Sequence, residues 1–153
     1  MLFSPFTNYA NFSHNKFIDI SCKRFNPAYK TLTDSSEVFL NIPLNLDELA
    51  LSNNVIVGKL PNPFPCEYIR HFAIGNNLFS GDLPDFLTYN PLLRKLDLSN
   101  QEQTETGGLS GTIPIDMFKL SNLVKLDLSQ NSLAGPAPST IGNLIAKPIY
   151  QCT

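Results

Sequence analysis

At 153 residues and 42% apolar side chains, the chain has the length and content for one domain with its own core. Eleven basic and thirteen acidic residues leave a net charge of −2 with no block of one sign, which argues against a nucleic-acid or membrane-surface role. No run approaches the roughly 18 apolar residues of a membrane span, and Cys22, Cys66 and Cys152 form neither a CxxC pair nor a zinc spacing.

The chain opens on MLFSPFTNYANF, where Pro5, Asn8 and Asn11 interrupt any apolar run and no basic residue precedes it, so it does not read as a signal peptide. Within residues 1–45, Ala10 to Phe17 aligns with Leu126 to Leu133, which predicts a degenerate first repeat over 7–22 with Ala10 and Phe12 pointing inward. Segment 23–45 stays open between two readings. Leu32, Val38, Leu40 and Ile42 could form another irregular turn, or Asp34 and Glu37 could cap a short helix.

From Leu46 the chain repeats itself. Leu46, Leu49, Leu51, Asn54, Ile56, Gly58 and Pro61 set a frame, and Ile69, Phe72, Ile74, Asn77, Phe79, Gly81 and Pro84 fill it again. Leu93, Leu96, Leu98, Leu109, Gly111 and Pro114 fill it with extra residues in the middle, and Leu123, Leu126, Leu128, Asn131, Leu133, Gly135 and Pro138 complete it. The predicted units are 46–68, 69–92, 93–122 with an insertion at 101–108, 123–146, and a partial fifth at 147–153 that puts Tyr150 and Cys152 on inward positions. Each holds a predicted strand, Glu48–Asn53, His71–Asn76, Lys95–Asn100 and Lys125–Gln130, whose two apolar residues of the LxL type face one way.

The frame LxxLxLxxNxLxGx(I/L)P resembles the plant-type leucine-rich repeat of receptor-kinase ectodomains and polygalacturonase-inhibiting proteins. That resemblance implies an α/β fold, a right-handed solenoid or horseshoe with a parallel concave sheet and a 3₁₀ or irregular convex side. Leu87, Met117 and Ile141, each three residues after a proline, should point inward on that convex side. A single turn cannot bury its own leucines, so neighbours must complete the core. Asparagine carries two donors and an acceptor on one amide, so Asn54, Asn77 and Asn131, with Asn15 as a fourth member, should pair the backbone groups turned into the core. Gln101 stands at that site in the third unit and is expected to break the ladder, with 101–108 looping out as an exposed excursion before Gly107 and Gly108 restore the frame.

The resemblance further implies that ligands meet the concave face. Its outward columns here are Glu48, His71, Lys95 and Lys125; Ala50, Ala73, Asp97 and Asp127; and Ser52, Gly75, Ser99 and Ser129. Beside this stands the plainer reading that LDLS is repeat consensus and binds nothing. The face lacks the Tyr, Trp and Arg anchors common in hot spots, which argues for weak binding or for a site elsewhere in a longer protein. His71 and His14 have no partner spacing for catalysis or metal binding. Asp97 and Asp127 could form a carboxylate pair, but with Lys95 and Lys125 beside them a solvated charge lattice is the simpler account. Gly107 to Gly111 matches no phosphate-loop or nucleophile-elbow pattern. The sequon Asn11-Phe12-Ser13 would lie on the first strand, which argues against its use, and Cys66 reads as a structural thiol.

The expectation is therefore a recognition module with no enzymatic activity, no cofactor and no metal, binding a protein or peptide, with no nucleic-acid partner. It would be a segment of a larger receptor-like protein, extracellular or at the cell surface by family resemblance. The alternatives are an inhibitor of a secreted cell-wall hydrolase, or a spacer with no ligand of its own.

Overall fold

The computed structural model describes residues 9–11, 46–62, 68–101, 108–136 and 150–151. Six short strands form one parallel sheet: β1 (Tyr9–Asn11), β2 (Glu48–Ala50), β4 (His71–Ala73), β6 (Lys95–Asp97), β8 (Lys125–Asp127) and β9 (Tyr150–Gln151), neighbours in that order. All five pairings are parallel, as a chain that returns to the same end of the sheet before each new strand requires. Ala10, Leu49, Phe72, Leu96, Leu126 and Tyr150 occupy one register position across it.

The sheet is held on one side by the LxL residues. Leu49, Leu51, Phe72, Ile74, Leu96, Leu98, Leu126 and Leu128 are all buried, in one cluster with Leu46, Ile69, Leu93 and Leu123. Burying a Leu, Ile or Phe side chain contributes about 1.5–3 kcal/mol, and each turn can do so only because the next one covers it. The strands proper are three residues, half the predicted length, yet their pairing runs further. Leu51 N–H donates to Ala73 O and Asn53 N–H to Gly75 O, at 2.7 and 2.9 Å. The equivalent bonds link Asn76 to Ser99 and Asn100 to Ser129. Regular strand geometry ends earlier because Asn53, Asn76, Asn100 and Gln130 adopt φ of 61°, 57°, 52° and 54°, which turns the chain inward.

A second, three-stranded parallel sheet was not expected from the sequence. It comprises β3 (Val57–Lys59), β5 (Leu78–Asp82) and β7 (Leu109–Ser110), with an isolated bridge from Thr112 to Ala134 beyond it. These residues surround the repeat glycine, and Gly111 shows why glycine is required. Its φ is +76°, and a Cβ there would sit 2.7 Å from Asp82 Oδ1. On the return path lie a one-turn helix, α1 (Phe86–Tyr89), and a 3₁₀ helix at Ile115–Lys119. Leu87 and Met117 are fully buried there, three residues after Pro84 and Pro114.

Candidate functional site: the polar face of the six-stranded sheet

The turn of the chain into the core leaves backbone groups that side chains must pair. Asn77 does this with one amide. Its Nδ2 donates to Ile74 O in its own turn at 2.8 Å and to Leu51 O in the preceding one at 2.9 Å, while its Oδ1 accepts Ile56 N–H at 3.1 Å. Asn131 repeats the pattern on Leu128 O, Leu98 O and Leu109 N–H, and Asn54 donates to Leu51 O at 2.8 Å. The expected break at Gln101 is corrected by the structure. Gln101 is fully buried, its Oε1 accepts Phe79 N–H at 3.1 Å, and its Nε2 donates to Ile74 O and Ser99 O at 3.0 and 2.9 Å. Glutamine carries the same amide one methylene further out, so the rung survives the change of letter. Asn15 lies outside the described residues, as do Ile141, Cys22, Cys66, Cys152, His14, segment 23–45 and insertion residues 102–107.

On the other side of the sheet, the twelve candidate ligand-facing residues fall into the columns the repeat predicts. Glu48, His71, Lys95 and Lys125 are in register, as are Ala50, Ala73, Asp97 and Asp127. Two of the twelve offer little surface. Ala50 is only 8% exposed, and Gly75 is buried because Asp97 Oδ1 and Ser99 Oγ lean over it, 2.8 and 2.9 Å from where a Cβ would stand. Asn11 of the sequon pairs with Ala50 on β1, in the same register column as Ala73 and Asp97.

Asp97 and Asp127 are each engaged by a serine on their own strand end. Asp97 Oδ1 accepts both Ser99 N–H and Ser99 Oγ–H, at 3.1 and 2.7 Å. Asp127 holds Ser129 in the same way, at 3.1 and 2.6 Å. Both are Asx turns that fix the strand end. Asn100 Nδ2 donates to Asn76 Oδ1 in the adjoining turn.

The leading edge of the face is set by a repeated fork. Asp47 O accepts the N–H of both Arg70 and His71, Arg70 O those of Arg94 and Lys95, and Arg94 O those of Val124 and Lys125. This stacks Asp47, Arg70, Arg94 and Val124 just ahead of the first column. Arg70 pairs with Asp47 at 3.3 Å, and His71 Nδ1 lies 3.2 Å from Glu48 Oε2. Among the described residues, Arg94, Lys95 and Lys125 are exposed and make no ion pair. No group of three or more metal-ligating side chains occurs among those residues, and no helix there is long and apolar enough to cross a membrane.

A family model described as Leucine Rich Repeat matches residues 122–144. The structure also superposes on the plant peptide hormone receptor RGFR1, solved in complex with RGF2, with a TM-score of 0.64 and 27% identity, covering 72% of this chain and 17% of that one. The chain is a leucine-rich repeat solenoid. The Arabidopsis receptor kinase HAESA, solved with the peptide hormone IDA and the co-receptor SERK1, is similar to this solenoid at a TM-score of 0.64 and 26% identity, over 78% of this chain and 19% of that one. In sequence, the solenoid is 35% identical to Receptor-like protein 54 of Arabidopsis thaliana over 112 residues, 72% of this chain. It spans only 13% of that relative's length. Its homologues are plant receptor-like proteins, and its fold is that of their repeat ectodomains.

Proposed function

We propose that this chain is a non-enzymatic recognition module, a stretch of a receptor-like ectodomain that binds a protein or peptide on the open face of the six-stranded sheet. The supporting observation is that one face of every described strand interior to the sheet is sealed by buried Leu, Ile or Phe, while the other holds mostly polar, charged and small residues in fixed register. A rigid array of this kind reduces the ordering cost of binding an extended ligand. The two peptide-hormone receptors that it resembles are consistent with this use, as is an extracellular or cell-surface setting. Asp97 and Asp127, register partners on the open face, each hold the serine two residues on, contacts that fix the strand ends.

The reading is tested by selecting binders from a random peptide-display library on the full chain, then repeating the capture on an A73W variant. Ala73 is half-exposed at the centre of the face, so an indole there obstructs a ligand while the core stays intact. Binders lost on A73W support the reading. A selection in which every binder survives A73W removes it.

A further inference from the structure

The solenoid's sheet face changes electrostatic character between its second and third described turns. In the first two, every basic group at the leading edge has an acidic neighbour: Arg70 sits on Asp47 and His71 on Glu48. In the next two, Arg94, Lys95 and Lys125 make no ion pair among the described residues. Lys95 and Lys125 are direct register partners, so their backbones are about one strand spacing, ~4.8 Å, apart. The carbonyl fork brings the Arg94 backbone next to both, since Arg94 O accepts Lys125 N–H at 3.0 Å and Arg94 directly precedes Lys95. Three basic residues therefore start from backbone positions within about 10 Å, one Debye length at 0.1 M salt, so their charges repel one another.

The carboxylates on the same strands do not relieve this. Asp97 and Asp127 stand two positions further along, and each uses one oxygen to hold a serine N–H and hydroxyl. Among the described residues, neither comes within ion-pair distance of a lysine. Val124, 36% exposed, adds an apolar contact beside Lys125. A partly exposed cluster of cations without internal counter-charges is complementary to an anionic partner.

Resting on the reading of this face as a recognition surface, we infer that Arg94, Lys95 and Lys125 form the subsite for acidic side chains of a peptide ligand, with carboxylates seated along the leading edge of β6 and β8. Arg94 can grip a carboxylate through two N–H groups, while the lysines act as point charges. Binding of such a segment is salt-sensitive and depends on the side-chain carboxylates rather than on the ligand's ends.

The probe is a fluorescent twelve-residue peptide, acetylated and amidated, carrying four glutamates spaced by serine and glycine, with its glutamine counterpart as control. Anisotropy on the full chain should show binding of the glutamate peptide that weakens about tenfold or more between low and about 0.5 M salt, as screening demands. R94Q/K95Q/K125Q should lose at least about tenfold, and K59Q on the second sheet should behave as the parent. All substituted side chains are exposed or half-exposed, so an unchanged melting temperature verifies folding. No binding of the glutamate peptide, equal binding of the glutamine peptide, or binding unaffected by the triple substitution would overturn the inference. The library selection separates this from the broader reading. Binders blocked by A73W but neutral, and indifferent to R94Q/K95Q/K125Q, would leave the sheet face as the site and remove its acidic preference.

Discussion

Gln101 and Phe79 are joined across two turns of the solenoid, side-chain oxygen to backbone N–H, at 3.1 Å. The same amide donates to Ile74 O and Ser99 O. Gln101→Ala removes an acceptor and two donor contacts from a fully buried site, and should cost about 2–4 kcal/mol in urea or guanidinium unfolding. Gln101→Asn should cost less than about 1 kcal/mol, because Asn77 and Asn131 make equivalent contacts with the shorter side chain. Equal losses for the two variants would show that the amide is not what matters at this position.

Gln130 closes a column of left-handed residues whose other members are Asn53, Asn76 and Asn100. Asparagine tolerates φ near +55° better than glutamine, since its short amide pairs locally. Gln130→Asn should therefore stabilise the chain by about 0.5 kcal/mol, visible as a higher denaturation midpoint at an unchanged slope. A lower midpoint would contradict the argument.

Gly75 and Asp97 are predicted to be energetically coupled. A methyl at Gly75 meets Asp97 Oδ1 and Ser99 Oγ inside 3 Å, so Gly75→Ala must disturb the hydrogen bonds that hold Ser99. The single change should cost about 1 kcal/mol. In an Asp97→Ala background the penalty should shrink by more than half, and a double-mutant cycle measures the difference. Full additivity would mean the two do not share a site.

At Gly111 the strain is in the backbone as well as in the packing. Gly111→Ala combines φ of +76° with the approach to Asp82 Oδ1, and should cost about 1–3 kcal/mol. Removing the obstacle with Asp82→Ala should recover only part of that, because the positive φ remains. Thermal melts of the two singles and the double decide it.

The sequence announced the turns, the inward leucines and the asparagine rungs, because each recurs at a fixed spacing with the same residue. Gln101 was misread because recurrence compares letters, whereas the core responds to an amide at the right depth. Gly75 was misplaced as ligand-facing surface for a related reason. Its column position is outward, but its solvent access is decided by Asp97 and Ser99 on the next strand. The second sheet leaves little mark in the sequence because its strands are short and β3 buries no apolar side chain. Val57 is exposed, Gly58 half-buried and Lys59 exposed, a pattern indistinguishable from a loop. The unpaired cations depend on which carboxylates fail to arrive, and that is a property of three dimensions only.

Leu109 follows Gln101 by eight positions where Phe79 follows Asn77 by two, yet its N–H meets the Asn131 oxygen at 3.1 Å, the same distance that joins Phe79 to Gln101 and Ile56 to Asn77. Additional chain can thus be accommodated just past a rung without altering the periodic scaffold on either side. Length in such a molecule is modular at two scales: complete windings add turns, and extra residues just past a rung leave the register of the turns unchanged. Grafting of foreign peptides should be tolerated between Gln101 and Gly108 more readily than between Leu109 and Lys125.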